Sequence, residues 1–302
     1  MRFHKLDLNL LVAFDAMLKE RSVSRAAEQL NLSQSAMSSA LARLRDFFQD
    51  DLFVPVGKRM IPTPLAVTLE DQVRHILLQT QVLIGTRPAF DPARAERLVR
   101  MIASDFVIDV LLIDVIKRLR VEAPGLHLDI EVPSRSGVTQ LSHGDIELMI
   151  TPQFVRDPDQ PWEPLFEDRY VCCAWSGNTG IGPRMSKDDY LAASHVQVCF
   201  GRDRTKTFDS LYMERMGLHR NETLTVPSFN SLPHVLWGTD LITTLPSKLA
   251  DKYKERAPLA IYPLPIEIEP LVMVMQWNRS YDRDPLLMWL RRLIQDQAHH
   301  RT

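Results

Sequence analysis

Residues 23–45, VSRAAEQLNLSQSAMSSALARLR, set the narrowest limit on what this chain can fold into. Ser22 suits the N-cap of a short helix from Val23 to Leu30, with Ala26, Ala27 and Leu30 facing inward. Small side chains at Ala26 and Ala27 let a neighbouring helix come close. Asn31 tolerates the left-handed backbone of a tight turn, and Ser33 can cap the next helix by accepting from a free backbone N–H. On that helix Met37, Leu41, Leu44 and Phe48 recur at steps of four, three and four, so they form a buried stripe. The other face carries Gln34, Ser35, Ser38, Ser39, Arg43 and Arg45. Ser favours caps over helix interiors, which makes it a poor residue for a merely solvated face. Short polar groups do allow a helix to sit deep in a major groove about 12 Å wide, where Gln reads adenine through paired hydrogen bonds. The expectation is a helix-turn-helix whose second helix enters the groove while the first braces it.

The flanks extend this module. Leu6, Leu10, Phe14, Met17 and Leu18 recur at helical spacing, giving a first helix from about Asp7 to Glu20. Leu52-Phe53-Val54 and Met60-Ile61-Pro62 flank Gly57-Lys58-Arg59, either a two-stranded wing with a basic tip or an ordinary exposed hairpin. A wing tip would lay Lys58 and Arg59 along phosphates, with the salt sensitivity of counterion release. Residues 1–64 hold nine Lys/Arg against seven Asp/Glu, or +2; the whole chain is −2, which leaves −2 − 2 = −4 for the rest. The molecule as a whole is therefore no basic nucleic-acid binder, and the local bias is mild. Thr63-Pro64 is a helix start signal. Beyond it Leu69, Val73, Ile76, Thr80 and Leu83 follow the alternating spacing of a dimerising seam, a spacing that also fits a helix packed on its own domain. Pairing across the seam would set two recognition helices on an imperfect palindrome. Thr86 to Pro92 then breaks the pattern as a hinge.

From Arg97 the texture becomes alternating strands and helices, the grammar of a mainly parallel sheet. Expected strands are Leu98–Ser104, Leu126–Val132, Ile146–Ile150, Tyr170–Trp175, His195–Phe200, Leu241–Thr244 and Leu271–Trp277. Two α/β lobes joined by crossing strands leave a cleft at the carboxyl ends of their sheets. Candidate cleft residues follow strands or start helices: Ser104, Asp105, Phe106, Arg169, Phe200, Gly201, Arg202, Pro227, Ser228 and Phe229. Ser104 reads as an anion-holding hydroxyl or as a plain helix cap. Arg169 reads as the partner of a ligand carboxylate or phenolate, or of Glu167 and Asp168 beside it.

No catalytic constellation stands out, whether G-x-S-x-G, H-E-x-x-H, a P-loop or G-x-G-x-x-G, so the chain reads as no enzyme, with no cofactor and no metal site. Cys172, Cys173 and Cys199 show no metal spacing; burial is the main reading and a redox switch the other. Asp7, Asn9 and Asp15 interrupt the apolar run near the start, no cleavage site follows, and no apolar run is long enough to span a membrane. A reducing cytoplasm is the expected location.

At LDLNLLVAFDAMLKERSVSRAAEQLNLSQSAMSSALARLRDFFQDDLFV, followed by PTP, the chain resembles the LysR-type transcriptional regulators, and the likeness runs its whole length. LDLNLLV, YVCCAWSGN and the HV…C segment are most similar to the branch of nodulation protein D and aromatic-catabolism regulators. The resemblance implies an α/β chain with an all-α winged helix-turn-helix at 1–62, a linker dimerisation helix at 63–86, a hinge at 87–96 and an effector domain at 97–302. That domain is two-lobed like a periplasmic binding protein, lobe I being about 97–167 with 270–302 and lobe II about 168–269. DNA contacts carry over to Gln34, Ser35, Ser38, Arg43, Arg45, Lys58 and Arg59, with Ser33 and Ser39 beside them; Ser35 replaces a proline that many relatives have. The implied partners are promoter DNA, further copies in a dimer of dimers, and RNA polymerase during activation, with no membrane. The implied ligand is a small-molecule inducer, aromatic or a phenolic or carboxylate compound, that changes DNA bend. A binding protein or an α/β enzyme without a DNA role is the alternative.

Overall fold

A computed structural model describes residues 6–57, 59–85 and 90–299, with 82–85 described by backbone alone. The chain divides into two compact units, Met1–Thr86 and Arg87–Thr302.

In the first unit α1 (Asn9–Glu20), α2 (Val23–Gln29) and α3 (Gln34–Phe48) enclose a core that includes Phe14, Met17, Ala26, Met37 and Leu44. Ser33 caps α3, its Oγ accepting from Ala36 N–H at 3.1 Å, and Asn31 takes φ +54° in the turn. Ser22 has the backbone of an N-cap but no side-chain capping bond, so α2 depends on burial of Ala26 and Ala27 instead. The wing is an antiparallel pair, β1 (Phe53–Val56) with β2 (Arg59–Pro62). Buried Leu52 enters it at φ +57°. Its N–H donates to Asp50 Oδ1 at 2.7 Å, and the same oxygen accepts from the Thr63 hydroxyl at 2.7 Å. Thr63 in turn caps α4 (Pro64–Gly85), its Oγ1 accepting from Ala66 N–H at 3.2 Å.

The stripe proposed as a seam on α4 is not free along its length. Val73 is only 3% exposed and Leu69 packs on the same core, because α4 runs against α1 in its own unit. Arg74 Nε, 3.4 Å from Asp15 Oδ1, ties the two helices. Ile76 is 42% exposed, Thr80 donates to the Ile76 carbonyl at 2.9 Å, and Leu83 lies outside the described side chains. The stripe is split between core and surface.

The second unit opens with β3 (Arg97–Ile102), α5 (Asp105–Val107), a π-turn over Ile108–Leu112 and α6 (Ile113–Glu122), so the single helix expected from Phe106 is widened in its middle. Then come β4 (Leu126–Glu131), α7 (Gly137–His143), β5 (Leu148–Pro152) and β6 (Trp162–Asp168). The chain crosses into β7 (Tyr170–Trp175), α8 (Lys187–Ala192), β8 (Ser194–Phe200), β9 (Thr205–Lys206), α9 (Phe208–Arg215), β10 (Asn221–Val226), α10 (Leu232–Leu236), β11 (Ile242–Pro246), α11 (Ser247–Lys254) and β12 (Leu259–Tyr262). It returns through β13 (Leu271–Trp277) and ends in α12 (Pro285–His299).

Two sheets result, ordered β4-β3-β5-β13-β6 and β10-β8-β11-β7-β12, with β9 beside β8. Both are mixed rather than mainly parallel: β3 runs parallel to β4 and β5, while β13 is antiparallel to β5 and β6, and β7 to β11 and β12. The unexpected strands β6, β10 and β12 all lie at sheet edges. Pro164 is tolerated in β6 because an edge strand needs fewer N–H donors, and the register shifts opposite Met273/Val274. Cys172, Cys173 and Cys199 are buried and free; burial pushes the Cys172 and Cys173 thiols up to about 12, which leaves them protonated and inert. Among the described residues no helix is long and apolar enough to cross a membrane, and no cluster of His, Cys, Asp or Glu fits a metal ion.

Candidate functional site

The polar side of α3 is open. Gln34, Ser35, Ser38, Ser39 and Arg43 are exposed, as is Arg59 on the wing, and Lys58 lies outside the described residues. Ser35 Oγ sits 3.0 Å from Ser33 Oγ, so the two hydroxyls share the start of the helix. Arg43 Nη2 is 3.3 Å from Asp7 Oδ2, an exposed pair that a phosphate can outcompete. Arg45 is different. Its Nε donates to the Asp51 carbonyl at 2.8 Å and Nη2 to the Phe53 carbonyl at 3.0 Å. Those bonds make the guanidinium a brace that fastens α3 to β1.

In the second unit a cavity opens between the two sheets' lobes, enclosing about 740 Å³ with its mouth included. Phe106, Phe154, Tyr170, Phe200, Phe208 and Phe229 line it. The rings interlock across the lobes, Phe106 to Phe229 at 6.2 Å and Phe154 to Phe208 at 4.9 Å between centroids. Hydroxyls are few and set at element ends. Ser104 borders the cavity and caps α5, its Oγ accepting from Val107 N–H at 3.4 Å. Ser134, Thr151 on β5, Thr205 on β9 and Thr207 before α9 add four more. Lys206 brings a cation, already paired with Glu214. Burial raises the Tyr170 phenol well above its usual range, keeping it a neutral hydroxyl.

Of the expected cleft residues, Ser104, Phe106, Phe200 and Phe229 line this cavity. Asp105, Arg169, Gly201, Arg202, Pro227 and Ser228 do not, because a position at a strand's end fixes the edge and not the direction of the side chain. Asp105 joins the lobes, accepting from Asn230 N–H at 2.9 Å and Phe106 N–H at 3.2 Å; burial raises its pKa while those bonds oppose the rise. Gly201 and Arg202 turn outward toward β9, Pro227 is exposed, and Ser228 meets Ser231. Exposed Arg169 is the crossing residue between β6 and β7, its carbonyl accepting from Ser247 N–H at 2.8 Å. Beside it buried Asp168 accepts from Arg169 N–H at 2.8 Å, Ser247 Oγ at 2.6 Å and Lys248 N–H at 3.1 Å. The carboxylate therefore fastens the crossing to α11.

A second tie between lobes runs from Arg135 N–H to Asp203 Oδ2 at 2.6 Å. That bond holds the half-buried Asp203 carboxyl below the usual range. Sequence reasoning missed Thr151, Phe154, Tyr170, Thr207 and Phe208. Phe154 was findable, since it lies two residues past the end of β5, near a strand end as Phe200 is.

A family profile described as "LysR substrate binding domain" matches residues 92–299, and one described as "Bacterial regulatory helix-turn-helix protein, lysR family" matches residues 8–66. Nodulation protein D 2 of Sinorhizobium fredii is 37% identical over 302 residues, covering 100% of this chain and 97% of its own length. Nodulation protein D 2 of Rhizobium tropici is 39% identical over 298 residues, covering 99% and 95%. Among solved structures, a probable transcriptional regulator from Pseudomonas aeruginosa has a TM-score of 0.63 at 31% identity, covering 96% of this chain and 97% of its own. These matches are regulators and not enzymes.

Proposed function

Since the chain belongs to the LysR family of bacterial transcriptional regulators, we propose that it is a ligand-responsive activator of an operon for the breakdown of an aromatic or related compound. The cavity carries this reading: six aromatic rings around a largely apolar cleft suit a planar aromatic guest. The ligand binds between the lobes and favours one of their arrangements. Only a difference in affinity between two states moves the equilibrium, and a coupling of about 1–3 kcal/mol changes occupancy or bend several-fold.

The output end is α3. Gln34 reads a base, Ser35 and Ser38 let the helix seat deeply, and Arg43, Lys58 and Arg59 meet phosphates. Copies pair, and two pairs assemble into a tetramer over an imperfect palindrome. Ligand binding relaxes the DNA bend without altering base readout, which presents the promoter to RNA polymerase. The protein acts in the cytoplasm, where its DNA is.

Mobility shifts of the DNA upstream of its own gene test the reading, with and without a panel of monocyclic and bicyclic phenols. Specific retardation whose pattern changes with one of these compounds is the expected result. Retardation no greater than on random DNA would remove the regulatory role. Replacing Thr151 by Val, which deletes a cavity hydroxyl at constant volume, should weaken the ligand response and leave basal DNA binding intact.

A further inference from the structure

Next to the inner cavity lies an outer chamber of about 710 Å³, its opening to solvent included. The two share Pro152, Phe154, Phe208 and Leu271, so the Phe154–Phe208 ring pair is a common wall between them. Their chemistry differs. In the inner cavity the Lys206 ammonium is answered by Glu214. In the outer chamber the Glu269 carboxylate is answered by Arg215 Nη2 at 3.3 Å, while Arg156 has no ion pair and no side-chain hydrogen bond among the described residues. Its guanidinium instead rests over the Trp162 ring, 4.6 Å from the centroid. Stacking holds the planar fork in one orientation and leaves its edge N–H donors available. An ordered, unpaired guanidinium beside an apolar, ring-lined cavity is complementary to an oxyanion on a largely aromatic molecule.

We infer that Arg156 determines ligand specificity: the aromatic body of the ligand lies in the inner cavity and an anionic oxygen group, carboxylate, sulfonate or phenolate, reaches past Phe154 and Phe208 to Arg156. This rests on the cavity being the ligand site, and it moves the role first expected of Arg169 to a residue thirteen positions earlier in the sequence.

Two fluorescent probes separate the two claims. Anilinonaphthalene sulfonate and phenylnaphthylamine share a fused-ring body, and only the first carries an anion. With the full-length protein, Arg156→Gln should raise the Kd of the sulfonate about fivefold, the scale of one partly sheltered ion pair, and leave that of the neutral probe unchanged. Arg169→Gln should change neither. Added salt should weaken the sulfonate more than the neutral probe in the native protein, and this difference should shrink in Arg156→Gln. Equal effects on both probes, or none on the sulfonate, would overturn the role of Arg156 alone. Met149→Trp, which fills the inner cavity, should abolish binding of the neutral probe. Undiminished binding there, or no binding of either probe to the native protein, would remove the cavity reading and the inference together.

Discussion

Arg45 and Arg59 look alike in the sequence and behave differently in the structure. Arg45 gives its guanidinium to the Asp51 and Phe53 carbonyls, whereas Arg59 is exposed on the wing. Arg45→Ala should therefore cost the DNA-binding unit about 1–3 kcal/mol, the worth of charged hydrogen bonds, with little change in the salt dependence of DNA affinity. Arg59→Ala should leave melting unchanged and lower the log–log salt slope by about one phosphate. An Arg45→Ala protein that melts normally but loses a phosphate's worth of slope would reverse the two roles. The polar face of α3 was legible because helical period and residue type agree along it. The use of Arg45 was not, because both its partners are backbone carbonyls beyond the end of its own helix.

His195 escaped sequence reading for a similar reason. It is 1% exposed in lobe II, and its Nε2–H donates to the Tyr190 carbonyl at 2.6 Å. Its Nδ1 is buried with no hydrogen-bond partner among the described residues. Burial lowers its pKa from the ordinary 6.5 to about 4. The unfolded chain thus takes up a proton first as the pH falls, so stability is full above about 6.5 and declines toward 4. The decline amounts to about 3 kcal/mol. Melting of the effector unit at pH 7.5 and 5.0 should show about 2 kcal/mol of this loss, and His195→Gln should show less of it. An identical pH dependence in the variant would clear His195 of the effect.

Among the elements, α4 shows how a periodic pattern can be right about the helix and ambiguous about its partner. The four-three spacing correctly marks an apolar stripe, but α1 covers the part holding Leu69 and Val73. Ile76 stays exposed. Ile76→Glu should lower self-association in light scattering while shifting melting of the dissociated chain little. Val73→Ala should do the opposite and cost about 2 kcal/mol of stability. Loss of association in Val73→Ala with full stability would restore the original seam. The edge strands β6, β10 and β12 were hidden because Pro164 and the polar run Asn221-Glu222-Thr223 disguise strands whose outer side needs no pairing. By contrast β13, apolar but for Gln276 and paired on both sides in its sheet, announced its limits, Leu271–Trp277, to the residue.

For the whole molecule, two-lobed architecture was readable from the alternation of strands and helices, whereas contacts joining one lobe to the other were not. Arg135 and Asp203 are 68 residues apart and meet through a backbone N–H, which carries no residue code at all. Asp203 has a depressed pKa, so the tie is intact at neutral pH, above the carboxyl's unfolded value, and is lost as the pH falls through its folded value. Asp203→Ala should speed amide exchange at Arg135 at neutral pH and raise the inducer concentration needed for half-maximal response. Unaltered exchange at Arg135 would show that the lobes are held together elsewhere. The central place of β13 has a consequence for the order in which the protein comes into being. Both β5 and β6 pair with it, yet it is made after the whole of lobe II, so during synthesis lobe I has two open strand edges until Trp277 has left the ribosome. The DNA-binding unit emerges first and needs none of this, so a nascent or prematurely ended chain has a finished reading head and an unfinished sensor. A stop codon near Glu269 is therefore expected to yield a chain that sticks through its open edges and does not answer to its inducer.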